Sequence, residues 1–381
     1  MGVYRVRFEF SIKMKPLVFW QDSLSPHQSS FLSEIGYICR QKHSQNTYLI
    51  YEKTKLDNRV KQGWVFSEPE NIICKPSNTQ DLNLVRSTLE ANAIHIFSGF
   101  RSTPFLKAGL EAALKSGEIC YIFAERPSLF GKFYWLKFFF YTYLSLRYNK
   151  KIKGIITFGQ LGKKFYETLG FSKVFEFAYS VRVQEIDQIT VQNLNTNKRI
   201  IFVGTPLKLK GLQTLLLALS DIDLTRWNLS VVTIDNTVKK YKNLCKRLKI
   251  QDKVTFIDPM PNNELRKMLC TFDLLVLPSI YDGWGTIVNE SLHAGCPVIV
   301  SDRCGSNSIV KSDINGSVFR AKSVTDLRSK LLIELNLNRD RKKIANHARE
   351  ILAPEELADY FLRIINAAEV QHIITPPWHI D

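Results

Sequence analysis

The sequence predicts an α/β protein built from two doubly wound, Rossmann-like domains. Three observations carry that prediction: the length, the alternation of short apolar runs with helical patterns, and a polar stretch near the middle. At 381 residues the chain exceeds one small domain and suits two. With 45% apolar and 23% charged residues it can build a sizeable core, which excludes global disorder.

The alternation is legible from residue 16 onward. Residues 16–20 read as a buried strand, followed by a polar turn and an apolar helix from Ser29. Residues 93–98 (AIHIFS) form another strand. After it Thr103 is a fitting N-cap, Pro104 a first helical residue, Gly117 a stop, and residues 118–124 the next strand. Residues 185–198 turn polar and read as a linker between an N-terminal domain (1–184) and a C-terminal one (199–353). Beyond it five strands (199–203, 227–233, 253–257, 273–277, 297–301) are separated by four helices, a complete doubly wound unit. Residues 354–381 supply a last helix, apolar at Leu357, Tyr360, Phe361, Ile364 and Ile365, and a tail.

Charge is uneven. Residues 1–184 hold 26 basic and 14 acidic side chains, and the remainder 26 and 22, so most of the net +16 belongs to the first half. Such asymmetry points to a polyanionic surface. No window is apolar for the ~18–20 residues of a membrane span, and the first residues lack the apolar core of a secretory signal. Met14 is a plausible alternative start, since the first strand begins only at Pro16. Seven cysteines without a CxxC pair read as reduced thiols rather than zinc ligands or disulfides.

Two loops carry the chemistry. Pro278-Ser279 break a buried strand, and Tyr281-Asp282-Gly283-Trp284-Gly285 then open a helix near Thr286. The N–H groups of Gly285, Thr286 and Ile287 point from a positive helix end, an arrangement suited to a phosphate. Glu290, a turn along, can accept from a ribose diol, and Asp282 from hydroxyls on the other side. In the second loop Gly204 allows close backbone approach, Thr205 follows, and Lys210 offers a point charge to a pyrophosphate before Gly211. Asp221-Ile222-Asp223 lies at the opposite edge of the sheet and reads as a polar turn, so no catalytic metal is expected.

Together these segments resemble the donor half of family 4 retaining glycosyltransferases, whose GT-B fold sets two Rossmann domains facing across a cleft. The resemblance rests on Leu277-Pro278-Ser279, Asp282-x7-Glu290, Gly295-Cys296-Pro297-Val298-Ile299 and the Lys210-Gly211 loop, over about residues 199–310. Two positions depart from the family pattern: Asp282 stands for a glutamate and Thr205 for an arginine. The resemblance implies a nucleoside diphosphate sugar as donor substrate with no further cofactor, a glycan acceptor, often lipid-linked, and retention of anomeric configuration. Lys210, Asp282 and Glu290 become candidate catalytic residues. Gly204, Thr205, Lys210, Asp282–Ile287 (Gly283, Trp284, Gly285 and Thr286 between) and Glu290 become donor-binding ones.

The N-terminal half resembles the family only in its strand–helix rhythm. Polar groups at its strand ends (Gln21, Asp22 and His27; Ser98, Gly99 and Arg101; Glu125 and Arg126) would line a cleft, and Glu125 is the candidate to orient an acceptor hydroxyl. His95, inside a strand, reads as a core histidine. Residues 126–164 hold nine basic side chains, no acid, and a run of aromatics. One face of that segment is expected to pack on the domain and another, with its lysines, to meet an anionic membrane. The resulting expectation is a cytoplasmic enzyme held peripherally on the inner face of the cell membrane, working in surface polysaccharide biosynthesis and binding no nucleic acid. A nucleotide-sugar epimerase of the same fold and a basic nucleic-acid-binding protein are the rival readings.

Overall fold

The structure is a computed structural model that describes residues 14–53, 67–78, 81–100, 102–129, 133–181, 197–205, 208–222, 227–233, 238–367 and 374–380. Arg101, Asp223 and most of the expected linker lie outside them, as do the residues before Met14.

The N-terminal half forms a seven-stranded sheet in the order β3-β2-β1-β4-β5-β6-β7, every pairing parallel. Its strands are β1 (Leu17–Ser23), β2 (Thr47–Lys53), β3 (Ile73–Pro76), β4 (Ile94–Phe97), β5 (Ile119–Phe123), β6 (Gly154–Phe158) and β7 (Val174–Phe177). Sequence patterning identified β1, β4 and β5 and missed β2, β3, β6 and β7, of which β3 and β7 have only four residues each. Helices α1 (Pro26–His43), α2 (Leu82–Ser87), α3 (Pro104–Lys115), α4 (Tyr134–Tyr148) and α5 (Gly159–Thr168) complete the layers. Helix α1 begins at Pro26, three residues earlier than expected, because extended Ser25 is followed by a proline at the first helical position. Thr103 caps α3, its side chain accepting from the Leu106 N–H.

The second sheet has six parallel strands, one more than expected, in the order β10-β9-β8-β11-β12-β13. These are β8 (Lys198–Val203), β9 (Trp227–Val232), β10 (Val254–Ile257), β11 (Leu274–Leu277), β12 (Val298–Ser301) and β13 (Gly316–Phe319). The added strand β13 is only four residues long and contains a glycine, so it shows little strand pattern. Helices α6 (Leu212–Ser220), α7 (Val238–Arg247), α8 (Asn262–Leu269), α9 (Ile287–His293), α10 (Val324–Asn336) and α11 (Arg341–Leu352) flank this sheet. In both sheets the strand order reverses once, between β1 and β4 and between β8 and β11. A crevice opens at the carboxyl ends of the strands at such a point.

Helix α12 (Pro354–Ala367) packs across onto the first sheet, Phe361 lying 5.6 Å from Phe19 and 5.4 Å from Phe31 between ring centroids. The Tyr360 hydroxyl donates to the Glu176 carbonyl, and buried Trp378 donates from Nε1 to the Glu176 carboxylate at 2.9 Å. All seven cysteines are free thiols, and all but Cys74 are buried. His95 is a core residue: its Nδ1 accepts from Trp20 Nε1 at 3.0 Å, and its Nε2 faces Glu118 at 3.2 Å.

Candidate active site

The two informative loops leave β8 and β11, the strands that flank the switch point of the second sheet, so the topology brings them together. The Ile280 N–H donates to the Leu209 carbonyl at 2.7 Å, tying one loop to the other. Gly211, with φ +71, sits so close to Pro278 that a methyl there would land 1.9 Å from its carbonyl oxygen. Gly285, with φ +94, likewise needs the left-handed region.

Lys210 Nζ and Asp282 Oδ2 form an ion pair at 2.6 Å, with the side chains 31% and 14% exposed. Ser279 Oγ also reaches Asp282 Oδ2, at 3.4 Å. The two candidate groups neutralise each other. The N–H groups of Gly285, Thr286 and Ile287 have no partner among the described residues. Buried Ser306 Oγ, beside Gly285, also lacks a partner among them. Gly204 borders open space, its N–H donating to the Val232 carbonyl at 3.1 Å; Thr205 follows it at the edge of the same loop.

Glu290 is buried beside α8, a helix the sequence did not tie to it. Oε1 accepts from Asn262 Nδ2 at 2.9 Å and lies 3.6 Å from the Arg266 guanidinium. Burial pushes its carboxyl above the usual range, opposed by Arg266 and by the Asn262 hydrogen bond. The Trp284 indole is buried and donates to Asn289 Oδ1 at 2.7 Å, so its side chain anchors the loop. It packs toward Phe158 and Tyr179 of the first half, 6.4 Å from each ring.

The first half presents its own strand ends to these loops. Glu125, after β5, accepts from the Tyr179 hydroxyl at 2.8 Å, and a methyl on Gly283 would fall 1.9 Å from Glu125 Oε2. Arg126 lies over the Tyr281 ring at 5.0 Å while its backbone carbonyl accepts from the Tyr281 hydroxyl. His27 Nε2 stands 3.5 Å from Thr286 Oγ1. Glycines also let the two backbones approach: a methyl on Gly159 would sit 2.3 Å from the Gly305 carbonyl oxygen. Beside Glu125 opens a cavity of about 370 Å3, lined among others by Gln28, Ser98, Ser102, Phe140, Tyr141 and Tyr179. Gln21 and Asp22 stand apart from this lining; Gln21 Nε2 donates to Gln28 at 2.5 Å. Exposed Asp221 pairs with Arg328. Among the described residues no three His, Cys, Asp or Glu side chains cluster as a metal site requires.

Sequence reasoning missed Asn262, Arg266, Asn289, Tyr179 and Tyr281. Asn262 and Arg266 carried a faint signal, a polar helix start directly after a strand end; for Tyr179 there was none.

The family described as glycosyl transferases group 1 matches residues 184–351, which contain both loops. That stretch is similar to a group 1 glycosyl transferase domain. An uncharacterized glycosyltransferase of Methanocaldococcus jannaschii is 30% identical to this chain over 155 residues, 40% of this chain and 37% of that one. A D-inositol 3-phosphate glycosyltransferase of Corynebacterium glutamicum is 30% identical over 113 residues, 27% of each chain. The chain thus spans well under half the length of the curated relatives it matches. Over nearly its whole length it has the fold of a lipopolysaccharide outer core galactosyltransferase, WaaB (TM-score 0.67, 14% identity, 94% of this chain and all of that one). It also shares the fold of HepE from Anabaena, solved with UDP and glucose (TM-score 0.67, 13% identity, 93% of this chain and all of that one). The architecture of two parallel-sheet Rossmann-like domains is GT-B.

Proposed function

We propose that the chain is a retaining hexosyltransferase that moves a hexose from a nucleoside diphosphate sugar to a hydroxyl of a lipid-linked glycan in surface polysaccharide biosynthesis. The observation that carries this is the Lys210–Asp282 pair at the switch point of the second sheet, with Glu125 and its cavity opposite. A donor diphosphate takes Lys210 from Asp282 and rests against the N–H groups of Gly285, Thr286 and Ile287. Released Asp282 accepts from the hexose hydroxyls, and Glu290 from the ribose. As the bond to the diphosphate breaks, charge grows on the leaving oxygens. Lys210 and the amides stabilise it as preorganised electrostatics, and no step is assigned to a metal. Glu125 orients the acceptor hydroxyl.

Support for a membrane-borne acceptor comes from α4. Its inner residues Phe140, Tyr141 and Leu144 line the cavity, while Phe139 is 64% and Leu146 85% exposed. Trp135 and Tyr143 are exposed as well, and exposed Lys150, Lys151 and Lys153 follow the helix. Aromatics at headgroup depth beside lysines complement an anionic bilayer, which would hold the enzyme peripherally on the cytoplasmic face. No helix among the described residues is long and apolar enough to cross a membrane.

Thermal-shift screening with UDP-, GDP- and ADP-sugars tests the donor assignment. A true donor at a hundred times its Kd stabilises the protein by about 2.7 kcal/mol. Lys210→Ala and Glu290→Ala are expected to stay folded and lose most turnover. Stabilisation by no nucleotide sugar, or near-normal turnover in either variant, refutes the assignment.

A further inference from the structure

Four contacts close a ring between the two halves. Trp284 Nε1, inside the donor loop, donates to Asn289 Oδ1 at 2.7 Å. Asn289 Nδ2 donates in turn to the Tyr179 carbonyl at 2.5 Å. The Tyr179 hydroxyl donates to Glu125 Oε1 at 2.8 Å, and Glu125 Oε2 lies against Gly283, next to Trp284. Asn289 is fully buried, so both its bonds are made away from competing water. The Tyr179 ring is clamped on Phe158 at 3.9 Å and 12° between planes, so its hydroxyl has little freedom to follow anything but its own backbone.

We propose that Tyr179 is a positioning residue that makes the orientation of Glu125 depend on the donor loop. This rests on the assignment of loop 282–287 as the donor site. A diphosphate settling on that loop shifts Gly283 and Trp284. The shift reaches Glu125 directly at Gly283 and through Asn289 and Tyr179. Glu125 is therefore set for an acceptor hydroxyl once the donor is seated, which orders the two substrates and disfavours water as an early acceptor. Coupling of this kind is reciprocal: what donor binding does to Glu125, the state of Glu125 does to donor affinity.

The test uses UDP, GDP and ADP as probes, titrated calorimetrically into wild type, Tyr179→Phe, Glu125→Ala and the double variant of the whole chain. Tyr179→Phe keeps the ring on Phe158 and removes only the hydroxyl, so folding is retained, and a thermal melt checks it. Each single variant is expected to change the probe's Kd three- to tenfold, and the double variant no more than either alone. With any nucleotide sugar that turns over, the acid limb of the pH–rate profile moves up in Tyr179→Phe, because a carboxylate that loses a donated hydrogen bond is easier to protonate. A residue with a merely structural role would lower the melting temperature and leave both readouts in place. Unchanged Kd values, strictly additive changes or an unmoved acid limb overturn the relay. Failure of wild type to bind any of the three probes overturns the donor-site assignment itself, and the relay with it.

Discussion

Asp282→Asn separates donor binding from turnover. The substitution keeps the shape of the side chain and its capacity to accept a hydrogen bond while removing its charge. Asp282 holds Lys210 at 2.6 Å, so a diphosphate must take the lysine from a partner. An ion pair at this partial exposure is worth about 1 kcal/mol. Removing the carboxylate also ends its repulsion of the diphosphate, a through-space effect of similar size in a partly solvated cleft, again about 1 kcal/mol. The two add in the same direction, so a nucleoside diphosphate should bind Asp282→Asn more tightly by about 1–2 kcal/mol, roughly 5- to 30-fold. Turnover moves the other way. Charge-assisted hydrogen bonds contribute about 1.5–3 kcal/mol, so losing them at the hexose should slow transfer by about 10- to 150-fold. Calorimetric titration with the diphosphate and a nucleotide-release assay measure the two halves. Weaker diphosphate binding in Asp282→Asn would refute the reasoning, since Asp282 would then be holding Lys210 in its binding position rather than competing for it.

Gly211→Ala forces a left-handed residue to carry a side chain, about 1–2 kcal/mol, and drives the methyl onto the Pro278 carbonyl. A loss of about 3 kcal/mol or more is expected in urea unfolding, with turnover falling further as Lys210 is displaced. His95 supplies a pH signature. Burial, helped by Arg86, lowers its pKa to about 4, and the bond from Trp20 requires an unprotonated Nδ1. The unfolded chain takes up that proton at about 6.5 and the folded one does not. Stability is therefore full above pH 6.5 and declines as pH falls toward 4, by up to about 3 kcal/mol, in denaturant melts at pH 7, 5.5 and 4.5; a flat profile contradicts this. At the membrane face, Trp135→Ala with Phe139→Ala, or Lys150→Glu with Lys151→Glu, should abolish sedimentation with phosphatidylglycerol-containing vesicles while the melting temperature holds. Equal binding to pure phosphatidylcholine would remove the lysines from the account.

The sequence by itself determined the α/β class, the division into two halves and the two loops proposed to hold the donor. Those features follow from local chemistry: runs of β-branched residues, glycines where the backbone turns left-handed, and a proline after a strand. Lys210, Asp282 and Glu290 were legible because each sits at a fixed offset from such a signal. Only the tertiary structure decided who their partners are. Glu290 meets Asn262 and Arg266 because β8 separates β9 and β10 from β11 in the sheet, an order that no local pattern encodes. Trp284 is legible only as a member of its loop; its indole turns inward because Phe158 and Tyr179, more than a hundred residues upstream, build a hydrophobic seat for it. Glu125 was legible as a strand-end acid, but its contact with Gly283 arises from apposing two sheets, a long-range packing choice settled by summed apolar burial rather than by the neighbours of any one residue.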